Sequence, residues 1–147
     1  MTNPPNVGYP PPMIATKQFI TAGNATFTTT SKRTGQRFTY KVRQPKADAP
    51  HFVSLLSGPD NESDYQFLGT IFPDGKYFHG RKSRISPSAP SAVAFAWLWE
   101  NINRDMSKAV EIHHEGKCCR CGRKLTVPRS VELGCGPECA EHFGIMF

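Results

Sequence analysis

The chain has 147 residues, 38% of them hydrophobic, with a formal net charge of +6 at pH 7. That length suits one domain with a modest core, or a small domain with an appendage. The mean hydropathy of -0.44 describes a soluble chain, and no apolar run approaches the ~20 residues that cross a bilayer.

No basic patch followed by an apolar stretch opens the chain, so no secretory signal is expected. All five cysteines fall between Cys118 and Cys139. Such crowding suggests reduced thiolates on a metal in the cytoplasm rather than a disulfide framework. Residues 111–147 balance five Lys/Arg against five Glu, so the whole positive excess lies earlier. From Lys17 to Lys46 there are seven basic residues and no acidic one, which fits contact with nucleic acid or an acidic protein surface.

Residues 1–13, MTNPPNVGYPPPM, hold five prolines and no charge. Proline removes backbone donors and fixes an extended path, so this segment reads as a flexible tail. Residues 14–110 read as a sheet with one helix. ATFTTTSK and RFTYKVRQ flank RTGQ, with Gly35 at the turn. In the second strand Phe38, Tyr40 and Val42 alternate with Arg37, Lys41 and Arg43, which places the apolar set on one face and the charges on the other. In the first strand Ala25, Phe27 and Thr29 share a face, and Thr26, Thr28 and Thr30 point to the opposite, solvent face. HFVSLLS reads as a more buried strand. YQFLGTIF and KYFHGRK form a hairpin around Pro73, Asp74 and Gly75. The expectation is an antiparallel sheet of about five strands.

The loop SGPDNESDY holds Asp60, Glu62 and Asp64. It lacks the pattern of a Ca²⁺ loop and reads as a solvated turn. In SPSAPSAVAFAWLWENINRD, Ser88 or Ser91 can cap a helix with Pro90 in its first turn. Ala92, Phe95, Leu98, Trp99 and Ile102 then form the stripe that covers the sheet. Val93 and Trp97 lie on the other side and are expected to pack on the C-terminal segment.

Residues 111–147 read as a metal-binding module. Cys118 and Cys121 have the spacing with which a tight turn offers two thiolates to one tetrahedral ion, and Gly122 frees the backbone behind them. Cys119 is too close to Cys121 to share that geometry. Gly136 and Pro137 lead into a helix whose first turn holds Cys139. The fourth ligand is open on spacing, with Cys135 ahead of His142 and His114. The run His114, Gly116, Cys118, Cys121-Gly122-Arg123, Leu125-Thr126, Pro128, Ser130, Gly134, Gly136-Pro137 and Cys139 resembles a family of small zinc-binding modules of unknown function found in phage and phage-derived proteins. A histidine commonly stands where His114 does, so the resemblance implies His114 as fourth ligand, then Cys135, then His142. Three thiolates weaken a metal's pull on bound water, and the deaminase pattern is incomplete, so the zinc reads as structural.

The expected whole is an α+β protein: the antiparallel sheet covered by one helix, followed by a treble-clef-like zinc module. The expected function is that of a non-enzymatic, phage-type accessory protein binding nucleic acid. Lys32, Arg33, Arg37, Lys41, Arg43, Arg81, Lys82 and Arg84 would contact phosphates, and Tyr40 or Tyr77 would stack on bases if exposed. A second expectation is an inhibitor that offers its basic face to a host defence or nucleic-acid enzyme. A third is a metal-dependent nuclease using Asp60, Glu62 and Asp64.

Overall fold

The computed structural model describes residues 9–60 and 63–145. Period-two alternation builds one antiparallel sheet from β1 (Asn24–Ser31), β2 (Arg37–Arg43), β3 (His51–Leu56), β4 (Tyr65–Ile71), β5 (Tyr77–His79) and β6 (Val110–His114). The spatial order is β5-β4-β3-β2-β1-β6. Glycines at φ 76 (Gly35) and φ 88 (Gly75) turn the two tight hairpins, a conformation that costs a residue without Cβ little.

The sheet has six strands rather than five. The extra one, β6, runs antiparallel to β1, with Phe27 opposite His114 and Ser31 opposite Val110. It takes the sheet across the boundary expected at residue 110.

One face of the sheet is the core. The register sets Ala25 beside Val42 and Phe27 beside Tyr40, and Val42 beside Val53; all five of these side chains are fully buried. Helix α2 (Pro90–Glu100) lays Ala92, Phe95 and Leu98 on this face. The Phe95 ring sits 5.2 Å from that of Tyr40 and 4.9 Å from that of Tyr77. The Tyr40 hydroxyl donates to the Ser91 carbonyl at 2.7 Å, which satisfies a polar group that burial would otherwise penalise.

The cover is not one helix. Helix α1 (Thr16–Ile20) buries Phe19 and Ile20, with Phe19 edge-on to Phe27 at 6.1 Å. Two further short helices, α3 (Pro128–Leu133) and α4 (Pro137–Glu141), belong to the C-terminal segment. The N-cap of α2 is Ala89, without a side-chain cap; neither Ser88 nor Ser91 fills that role.

Val93 and Trp97 do not pack on the C-terminal segment. They are 53% and 40% exposed and line an open groove of about 530 Å³ with Phe38 and Arg33. The C-terminal segment docks elsewhere, because β6 carries it to the β1 edge and to α1. Tyr40 is in the core and Tyr77 is half-buried against Phe95, so neither ring is open to a base.

On the other face, Thr26 and Thr28 are buried rather than solvent-facing. Thr28 shares a 2.6 Å hydroxyl contact with Thr39 and donates to Glu115 Oε2 at 3.0 Å. Strand β3 is less buried than its composition suggests; among its residues only Val53 is fully enclosed. Between β3 and β4 the register shifts, since Val53 faces Gly69 while Ser54 faces Phe67. The extra residue, Leu68, turns into the core. The bulge leaves Phe67 on the open face.

Phe95→Ala should cost about 3–5 kcal/mol by removing a fully buried ring. Val93→Ser should stay within about 0.5 kcal/mol, as exposed substitutions do. Urea unfolding of the two variants beside the parent checks this ordering.

Candidate metal centre

The site begins with a one-bridge hairpin, Lys117 opposite Lys124. Inside it the Cys118 N–H donates to the Arg123 carbonyl at 2.8 Å and the Gly122 N–H to the Cys118 carbonyl at 2.9 Å. Gly122 adopts φ 79 to close this knuckle. Helix α3 then ends at Gly134 in the left-handed region, φ 85. A Cβ there would lie 2.9 Å from Pro12 Cβ and 3.1 Å from the Phe19 ring, so only glycine fits. The Gly134 carbonyl accepts the Cys119 N–H at 3.1 Å, joining the two halves. Helix α4 delivers Cys139.

The thiol sulfurs of Cys118, Cys121 and Cys139 lie within 4.8 Å of one another. Cys118 and Cys139 are buried and Cys121 is exposed. The group could hold a metal ion, and its chemistry fits one. The Gly136 N–H donates to Cys118 Sγ at 3.3 Å and Arg120 Nη1 to Cys139 Sγ at 3.8 Å. The Cys119 thiol first, and then the backbone N–H groups of Cys121, Gly136 and Arg120, outweigh burial and push the Cys118 thiol down to about 4. Burial first, then its neighbours Cys118 and Cys121, push Cys139 up to about 12 against the pull of Arg120. The surroundings thus favour the thiolate at Cys118, while burial first and neighbouring sulfur second disfavour it at Cys139. A bound cation reverses that preference, since coordination deprotonates thiols outright.

His114 is not placed as the fourth ligand. It is fully buried; its Nε2–H donates to the Val131 carbonyl and its Nδ1 accepts the Gly116 N–H at 2.9 Å. Both ring nitrogens are therefore occupied by backbone, and the ring braces the loop that precedes the knuckle. Burial holds its pKa below the ordinary value of 6.5. Cys135 is buried, and its thiol is raised to about 11, first by burial and then by the charges of Cys118 and Cys121. His142 is exposed at the C-cap of α4. Cys119 is buried and its thiol partners Cys118.

Residues 9–13 strap the site from outside. The Tyr9 ring lies 5.5 Å from that of His114, tilted by 43°, and a Cβ on Gly116 would meet the Tyr9 ring at 2.5 Å. The Tyr9 carbonyl accepts His113 Nδ1–H at 2.9 Å, the Pro10 carbonyl accepts the His114 N–H at 3.3 Å, and the Met13 N–H donates to the Glu132 carbonyl at 3.2 Å. Residues 9–13 are thus a fastened strap rather than a free tail; residues 1–8 lie outside the described residues.

The basic residues do not form one cluster. Lys32 and Arg33 sit exposed in the β1–β2 turn. Arg37 is half-buried at the start of β2 and Arg43 exposed at its end, about 20 Å away along a seven-residue strand. Lys41 lies between them, its ammonium 5.5 Å from the Tyr65 ring centre. Arg81, Lys82 and Arg84 follow β5, where the Ser83 hydroxyl donates to the Phe67 carbonyl at 2.7 Å. The aromatic residues around Lys41 and Arg43 do not stand out as a group in the sequence; the alternation of HFVSLL, with Phe52 and Ser54 on the face opposite Val53, is the signal for them. Of the acidic loop, Glu62 lies outside the described residues, and Asp64 Oδ2 accepts the Asp60 N–H at 2.8 Å, which is turn geometry.

Residues 111–144 match the model of a family described only as a family of unknown function, DUF6011. No curated protein and no solved structure matches the chain.

Metal analysis of purified variants should find the ion lost in Cys121→Ser and Cys139→Ser and retained in His114→Gln. His114→Ala should cost about 1–3 kcal/mol, the penalty for stranding buried partners. Because its folded pKa is depressed, the unfolded chain takes up a proton first as pH falls through 6.5. Stability should therefore decrease on acidification, and His114→Gln should flatten that part of the pH profile.

Proposed function

We propose that the chain is a non-enzymatic accessory protein that binds nucleic acid through the open face of its sheet, with Zn²⁺ holding the C-terminal segment in shape. The observation that carries this is the charge of the sheet. Strands β2 to β5 contain Arg37, Lys41 and Arg43 and no acidic residue, and Lys41 and Arg43 rise from the face that α2 leaves uncovered. Phosphate contacts supply most of the affinity of such a surface. Arg81, Lys82 and Arg84 extend it beyond β5.

Zinc suits a soft, thiolate-rich donor set. With His114 occupied by backbone, Cys135 is the residue we assign as fourth ligand, giving an all-thiolate, closed and therefore structural site. Arg120 offsets part of its negative charge. The knuckle followed by a helix bearing the third thiol supports the treble-clef-like reading. The phage-type context follows from the sequence resemblance, and the cytoplasmic location from the crowding of the cysteines between Cys118 and Cys139.

The second reading, an inhibitor that grips a host protein, draws support from the exposed Trp97 and Val93 in their groove. A nuclease finds little support, because the carboxylate of Asp64 is spent on its own turn.

Anisotropy titrations with labelled DNA and RNA should show log Kd rising steeply with log salt concentration. Lys41→Gln and Arg43→Gln should each reduce the slope by about 1. Binding to neither nucleic acid, together with a stoichiometric protein partner that survives nuclease in a pulldown, would replace this reading with the inhibitor. Metal analysis of Cys135→Ser against His142→Ala tests the fourth ligand, the former losing zinc and the latter keeping it.

A further inference from the structure

The open face of the sheet is aromatic as well as basic. Register places Arg43 beside Phe52, Phe52 beside Thr70 and Thr70 beside Phe78, so one row across four strands alternates a cation, a ring, a hydroxyl and a ring. The next row runs Lys41, Ser54, Phe67. Phe52, Phe72 and Phe78 are 39%, 41% and 56% exposed. They are not isolated: Phe52 lies 6.4 Å from Phe67, and Phe72 lies 5.8 Å from Phe78.

Single exposed phenylalanines are ordinary, but a group of them on an open face marks a contact surface. The chemistry of this one is specific. Phosphate contact alone would need only cations, and phenylalanine offers a phosphate nothing. A ring face does accept the π-face of a base, whatever its identity. In a duplex the base faces are stacked on one another and only edges and backbone are presented, so rings beside Lys41 and Arg43 would meet a charged backbone. In a single strand the bases are free to splay. Phe52 and Phe78 are two strand spacings apart, about 10 Å, so each would take its own base while Lys41 and Arg43 hold the phosphates alongside.

We infer that this face binds single-stranded nucleic acid, with bases stacked on Phe52 and Phe78 and phosphates on Lys41 and Arg43. The inference rests on the nucleic-acid reading above and narrows it to one strand state. It also accounts for the absence of acidic residues within the strands β2, β3, β4 and β5 themselves: an acidic side chain there would repel the backbone and desolvate beside a ring.

The test uses the full chain with a labelled 15-nucleotide oligothymidine, its oligouridine counterpart, and a DNA duplex of equal length. Single strands should bind at least about 10-fold more tightly than the duplex. Phe52→Ala with Phe78→Ala should weaken single-strand binding by at least about 10-fold and leave duplex binding and the salt slope unchanged. Both rings are exposed, and an unchanged far-ultraviolet circular dichroism spectrum and melting temperature should accompany the loss. Phe52→Tyr with Phe78→Tyr, which keeps both ring faces, should retain binding. Equal affinity for single strand and duplex, or indifference to the alanine pair, overturns this inference and leaves the nucleic-acid reading standing. Binding of neither overturns both. Poly-glutamate binding as tight as the oligonucleotides identifies a mere charge sink for acidic protein, and it too overturns the inference.

Discussion

Strand β6 pairs its backbone with the edge of β1, and that pairing decides where everything after residue 110 goes. A strand laid against Phe27 and Thr28 carries Glu115 to the Thr26 carbonyl, which accepts the Glu115 N–H at 3.2 Å. The chain then turns back at Gly116. Asn24, at the start of β1, receives the returning knuckle through its N–H to the Cys119 carbonyl at 2.7 Å and its side-chain amide to the Arg120 carbonyl at 2.9 Å. The cysteine-bearing loop is thus anchored to the sheet on both sides of its first thiol. A small segment with little core of its own gains rigidity from such anchoring.

The two faces of the sheet divide the work by what they can desolvate. The inner face is apolar: the Tyr40 ring meets both Phe27 and Phe95, and its hydroxyl donates to a helix carbonyl. Burial raises both tyrosines, Tyr77 to about 12, which keeps them neutral at any physiological pH. The outer face leaves its cations half-buried or exposed, with their heads reaching water over apolar stems. Alternation along RFTYKVR makes both faces from one strand, so the strength of the core and the charge of the surface are linked through a single register. A slip of one residue would bury Lys41 and Arg43 and expose Tyr40 and Val42.

Much of this was legible in the sequence. The β2 alternation, the Gly35 and Gly75 turns, the α2 stripe and the convergence of Cys118, Cys121 and Cys139 all follow from local rules. What was not legible depends on long-range partners. VEIHH is five residues with no turn linking it to β1, so its place in the sheet follows from a vacant edge and not from its own pattern. A histidine four residues before a thiol looks the same whether it binds a metal or, as His114 does, two backbone groups. The β4 bulge breaks alternation at Leu68, and so Phe67 could not be assigned a face by counting. Trp97 looked too apolar to leave exposed, yet the segment expected to cover it had been drawn to the opposite side by β6.

A sheet of six strands offers two outer edges, each a row of unpaired backbone groups that a second chain could extend. Here both are closed, by different means. At one side β5 is three residues long, too short to template a neighbour. At the other, the Tyr9–Met13 strap lies along β6 and takes the His114 N–H. Three of its five residues are prolines, which have no N–H to offer in turn. The strap therefore covers an edge without creating another, and the proline run that suggested a loose tail is what stops the sheet from growing.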